Sequence, residues 1–222
     1  MWSGAAVATF LLVSLVVHLP FVQHAMGWAN RDGTGACPFG QGTTRVAAAP
    51  ASVRTGAAAR SRPALGFTLA VTTRNELLAW ADEHRIACTA KRDGTQLDCT
   101  DVPAALLADH GGDLASTSTW FDLDDRGVLY AIRTVRRTDD VTRVAQAFVA
   151  TNVALTARAG GPTQSSGSSD PVVLASGAFQ QASREYRFRD YRAVVRATNM
   201  GDGFVLTESY TSFQEQRSAS KI

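Results

Sequence analysis

Residues 119–160 read TWFDLDDRGVLYAIRTVRRTDDVTRVAQAFVATNVALTARAG, and the periodicity changes partway along. In TWFDLDDRGVLYAIRTV a turn within Asp124 to Gly127 sets Phe121 and Leu123 opposite members of Val128, Tyr130 and Ile132. Opposed side chains of an antiparallel pair share a face, so the segment predicts a hairpin with one apolar side. Beyond it, Val141, Val144, Ala145, Phe148 and Leu155 recur at helical spacing. Acids at 139 and 140 complement the positive end of that helix, Arg158 the negative end, and Gly160 closes it. A hairpin running into an amphipathic helix points to an α+β domain: an antiparallel sheet built from hairpins with helices packed on one face.

Upstream, residues 88–100 read CTAKRDGTQLDCT. Asp93-Gly94 is the pair that a two-residue type I′ turn requires, because both central residues take positive φ. That turn sets Ala90 opposite Leu97 and Cys88 opposite Cys99. Opposed Cβ atoms lie about 4.5 to 5.5 Å apart, near disulfide geometry, so a Cys88–Cys99 bridge is expected to staple the hairpin. Counting from the turn places the pair at a hydrogen-bonded site, where the fit is less comfortable. The alternative is two neighbouring buried thiols; zinc is disfavoured by the long spacing and the lack of a His at ligand distance in sequence.

The rest of the domain follows the same two patterns. Residues 66–71 (GFTLAV) suit a short strand, and Thr73 with Glu76 forms a capping box that starts a helix through about Arg85. A short helix is expected around 103–109, and GGPTQSSGSSD suggests a flexible loop at 160–170. Pro171 suits the first turn of a helix to about Ala182. Then REYRFRDYRAVVRAT (184–198) reads as one strand with a bulge near Asp190 and Tyr191, turning at 199–203 and returning as FVLTESYTSF. One domain over 65–216 and a frayed tail at 217–222 complete the reading, and no two segments are alike enough to argue duplication.

The first 30 of the 222 residues carry no Lys, Arg, Asp or Glu, and residues 5–22 are almost wholly apolar. Such a run partitions into lipid or enters the export machinery, as a spanning helix or a cleaved signal peptide. Membrane lipid, met through residues 5–26, is one expected partner. Residues 31–64 are rich in Gly, Ala, Pro and Arg and read as a tether. Arginines there argue weakly for a cytoplasmic flank, whereas a disulfide argues for an oxidising compartment. The expectation is a domain anchored outside the cytoplasm, or a secreted or periplasmic one after cleavage.

No catalytic, cofactor-binding or metal-binding set survives a check of its spacing. Asp122, Asp124 and Gly127 imitate the start of a calcium loop, but Arg126 and Arg133 stand where ligands are needed, so a polar turn is the better reading. The glycines from Gly33 to Gly42 lack the strand, Lys and helix of a nucleotide loop. His84 suits a core edge, His18 and His24 lie too far apart around one helix to share a metal, and Cys37 is left unpaired. Arginine alternates with aromatics in 184–196, and Arg187, Arg189 and Arg192 are the candidate partner-facing residues. A formal net charge of +2 speaks against nucleic acid, leaving an anionic surface or a protein partner for those arginines. The expected role is a non-catalytic binding or accessory domain of an envelope or membrane complex. The alternative is an extracytoplasmic enzyme with a dispersed site, such as a hydrolase of envelope material.

Overall fold

The computed structural model describes residues 56–107 and 113–213. The apolar segment 1–30, most of the tether 31–64, His18, His24, Cys37, His110 and the tail 217–222 lie outside the described residues. In chain order the elements are β1 (Pro63–Ala64), β2 (Phe67–Thr68), α1 (Arg74–Glu83), β3 (Cys88–Lys91), β4 (Gln96–Val102), β5 (Ser116–Leu123), β6 (Leu129–Thr138) and α2 (Val141–Ala159). There follow β7 (Gln164–Ser166), α3 (Pro171–Ala175), β8 (Gln181–Arg187), β9 (Tyr191–Asn199) and β10 (Phe204–Ser212). Strands β3 to β10 form one sheet in the order β3-β4-β5-β6-β10-β9-β8-β7, every pairing antiparallel. A helix followed by a four-strand meander thus occurs twice, with α3 inserted after β7, and the two meanders join at β6 and β10.

One rung of the sheet shows which face is covered. Leu97, Phe121, Ile132, Tyr210, Ala193 and Tyr186 stand side by side across six strands, and all are buried. Phe121 meets Phe67 and Trp80 edge to face, which places α1 over β5. Asn152 of α2 accepts at its Oδ1 from the Tyr186 hydroxyl at 2.9 Å, and Thr151 of α2 donates to Glu208 on the same side of β10. The helices therefore share one face, as the sequence predicts. Leu174 of α3 is buried with them, and its carbonyl accepts from Asn199 Nδ2 of β9.

Local signals place most helix ends. The Thr73 and Glu76 capping box is formed in both directions, and those bonds hold the Glu76 carboxyl below its usual range. Asp140 caps α2 by accepting from Thr142 N and Arg143 N. Gly160, at φ 117°, ends that helix where an added Cβ would sit 3.2 Å from Phe188.

Five expectations change. Residues 66–71 are not one strand: Leu65 (φ 56°) and Gly66 (φ 89°) make a turn between β1 and β2, and the chain then curls so that Ala70 N meets the carbonyl of Leu129. The helix from Pro171 stops at Ala175 instead of Ala182, because Phe179 N bonds the carbonyl of Asn199 and draws the chain into the sheet. Residues 184–198 are two paired strands, not one bulged strand, with Arg187 opposite Arg192 and Phe188 N bonded to the carbonyl of Tyr191. Within the expected tether, Ala59 N bonds Asp190, Arg60 N bonds the carbonyl of Ala159, and Pro63 accepts from the buried hydroxyl of Tyr191 at 2.6 Å. Within the expected loop 160–170, Gln164–Ser166 pairs with β8.

The Cys88–Cys99 disulfide is present, with Cα atoms 4.1 Å apart. Asp93 (φ 55°) and Gly94 (φ 84°) occupy the turn, Thr95 N bonds the carbonyl of Arg92, and the pairing of Ala90 with Leu97 is the one expected. The hydrogen-bond phase differs. Arg92 is also left-handed (φ 51°), which makes the loop four residues, 92–95, and Thr100 N bonds the carbonyl of Ala87. That bond makes 87 and 100 the hydrogen-bonded pair and leaves 88 and 99 at the closer, non-bonded site, where a bridge fits well.

Candidate functional site

The face of the sheet opposite the helices is uncovered among the described residues. Its side chains alternate with the core residues along each strand. On β5 they are Ser118, Trp120 and Asp122; on β8, Ser183, Glu185 and Arg187, Glu185 being opposite Val194. At the centre of the face runs β10, which contributes Val205, Thr207, Ser209 and Thr211. These are small side chains, so the strand forms the floor of a shallow trough.

The walls of the trough are set by register. Thr211 lies between Ala131 and Arg192, and Ser209 between Arg133 and Val194. Thr207 lies between Val135 and Arg196, and Val205 between Arg137 and Thr198. Each rung thus carries one arginine, and the arginine alternates between β9 and β6. Rungs on one face of a strand repeat every two residues, about 6.8 Å, and the two walls stand about 10 Å apart.

Carboxylates on the outer strands hold two of these four arginines. Asp122 of β5 accepts from Arg133 Nε and Nη2 at 3.1 to 3.2 Å and also from Gln96 Nε2 at 2.6 Å. The Arg133 guanidinium lies 5.8 Å from the centre of the Trp120 ring. On the other wall, Glu185 accepts from Arg192 Nε at 2.7 Å and from Arg187 Nη2 at 2.8 Å. Burial pushes the Glu185 carboxyl up, but the bonds and charges of Arg187 and Arg192 outweigh it and hold the group below the usual carboxylate range. Arg137 pairs at 3.6 Å with Asp202, which is well exposed, and Arg196 is exposed with no ion pair among the described residues.

Of the expected partner-facing residues, Arg187 and Arg192 stand side by side on this face, bridged by Glu185. Two like charges directly opposite each other destabilise a strand pair, and the carboxylate between them offsets that. Arg189 is exposed in the β8–β9 turn, its N–H bonded to the carbonyl of Ala57, and stands apart from the face. Arg133, Arg137 and Arg196 were missed as partners of this surface. Alternation along each strand puts them on one side of it, but only the pairing of β10 between β6 and β9 brings the two rows together.

The other candidates resolve into structural roles. Asp124 accepts from the N–H groups of Arg126 and Val128, so the acidic run is a hairpin turn. His84 ends α1 and packs against Trp80, ring centres 5.8 Å apart. Comparisons with protein-family models, with curated proteins and with solved structures give no match.

Proposed function

We propose that this chain is a membrane-anchored or exported binding domain, an accessory component of an envelope or membrane complex, that presents the uncovered sheet face to a protein partner. The carrying observation is that arginine-lined face: all the described helices pack on the other side, and the guanidinium groups of Arg133, Arg187 and Arg192 are held in place by Asp122 and Glu185. Orienting arginines across a rigid sheet before binding lowers the entropy cost of engaging a partner. The charge-free apolar run over residues 5–22 supports attachment or export. The hydrolase alternative has no described arrangement of acid, His and hydroxyl in its favour.

A photo-crosslinking side chain placed at Thr207, on the floor of the trough, tests the reading in native cells. The same group at Val153, on the exposed side of α2, is the control. The expected result is a discrete crosslinked species from position 207 that position 153 does not yield. Equal patterns at the two positions, or none from 207, would overturn the assignment of this face.

A further inference from the structure

The alternating arginines define what kind of partner fits. Along β10 the order Arg192, Arg133, Arg196, Arg137 steps from wall to wall, one arginine per rung, above Thr207 and Ser209. An occupant lying along the trough meets a positive charge about every 6.8 Å, the two-residue repeat of a β-strand. An extended polypeptide has that same repeat on each of its faces, so carboxylates at every second residue stay in step with the arginines over all four rungs.

Several observations narrow the choice to a peptide. Asp122 and Glu185 belong to β5 and β8, two strands away from β10 on either side. Each of those acids meets its arginine from the side away from β10, which leaves the trough side of the guanidinium groups to an occupant. The floor carries hydroxyls and a methyl-bearing Val205 but no aromatic ring, so it offers no platform on which nucleic-acid bases stack. The backbone of β10 is paired on both sides, which leaves recognition to side chains instead of strand addition at an edge.

We propose that the β10 trough binds an extended segment of a partner protein carrying Asp or Glu at every second residue, each carboxylate seated against one of Arg192, Arg133, Arg196 and Arg137. The proposal rests on the assignment of this face as the binding surface. Guanidinium groups suit it because each offers a planar pair of donors to a carboxylate, and Arg196, having no carboxylate partner of its own among the described residues, is the anchor.

The test uses the full chain in detergent and two labelled, end-blocked peptides of equal charge, read by fluorescence anisotropy. One alternates glutamate with threonine; the other has the same residues with the glutamates in one block. The alternating peptide is expected to bind at least about tenfold tighter, and Arg196→Glu and Arg137→Glu, both at exposed positions, are each expected to weaken it by roughly tenfold or more. Arg143→Glu, on α2 and bonded to Asp113, is expected to leave binding unchanged. Equal affinity for the two peptides, or no effect of Arg196→Glu, would reduce the trough to unspecific charge and overturn the proposal. Displacement by oligothymidylate would replace the peptide with a nucleic acid, and displacement by phosphatidylglycerol vesicles would replace it with a lipid surface. If neither peptide binds while position 207 still crosslinks specifically, the acidic strand is wrong and the binding face stands. If crosslinking from 207 also fails, the face itself is wrong.

Discussion

Arg136 and Glu208 have no solvent exposure and face each other inside the domain, Nε to Oε2 at 3.0 Å. Thr134 and Thr151 donate to the same carboxylate, and Arg136 Nη1 donates to the carbonyl of Leu114. Arg136 Nη2 has no hydrogen-bond partner among the described residues. Removing one member of such a pair strands the other charge in the core, whereas replacing both with apolar groups is often neutral. Glu208→Gln is expected to lower stability by about 3 to 5 kcal/mol in urea denaturation, with most of it restored in the double variant Arg136→Met, Glu208→Leu. A loss under about 1 kcal/mol in the single variant would show that the ion pair is not what holds the two central strands in place. Strand alternation already marks both residues: Arg136 shares the phase of Ile132, and Glu208 that of Leu206 and Tyr210, all buried. What alternation along separate strands does not carry is that β6 and β10 are neighbours, so that one inward charge answers the other.

At the scale of elements, the β3–β4 hairpin shows what a local motif settles. Asp93-Gly94 takes the left-handed turn it signals, and the turn brings Cys88 opposite Cys99. Among the described residues this bridge lies on a sheet edge, where β3 has only β4 beside it. Replacing both cysteines by serine is expected to cost about 3 kcal/mol for a closed loop of this length, measured as a lower urea midpoint that reductant reproduces in the parent protein. If reductant leaves the parent midpoint unchanged, the bridge adds nothing to stability and β4 is held by β5 alone. The phase of the hairpin was less legible, because the left-handed Arg92 extends the loop and no residue type demands that conformation there. The β8–β9 hairpin was hidden for a related reason. Its turn at Phe188, Arg189 and Asp190 lacks Gly, Asn or Pro, so the slip in alternation resembles a bulge. Tertiary bonds supply what the turn sequence lacks, as Asp190 accepts from Ala59 N and Arg189 N bonds the carbonyl of Ala57.

At the scale of the molecule, the segment 57–64 ties the start of the domain to its second meander. It bonds the end of α2 through Ala159 and Arg158, the β8–β9 turn through Asp190, and Tyr191 through Pro63. A variant beginning at Gly56 is expected to keep an ordinary cooperative urea transition, while one beginning at Leu65 is expected to lose about 2 kcal/mol or more, since it leaves the buried Tyr191 hydroxyl without its acceptor. Equal midpoints for the two would return these residues to the role of a tether. Burial already pushes the Tyr191 hydroxyl well above its usual pKa, so the group stays neutral and keeps its need for an acceptor over the ordinary pH range.

The sequence by itself determined the local structure: the capped helices of the Thr73 and Asp140 starts, the face of α2 that is buried, the β5–β6 and β9–β10 hairpins, and the pairing of the two cysteines. Each of these depends on residues near one another in the chain, and their backbone preferences and spacing suffice. Only the tertiary structure decided that the two meanders join at β6 and β10 in one eight-stranded sheet. It also decided where α3 stops and which arginines face one another across the trough. The junction and the trough depend on pairing between strands more than sixty residues apart, such as Thr138 with Phe204, and the end of α3 on Phe179 N meeting the carbonyl of Asn199; periodicity along a strand says which way a side chain points but not which strand lies beside it.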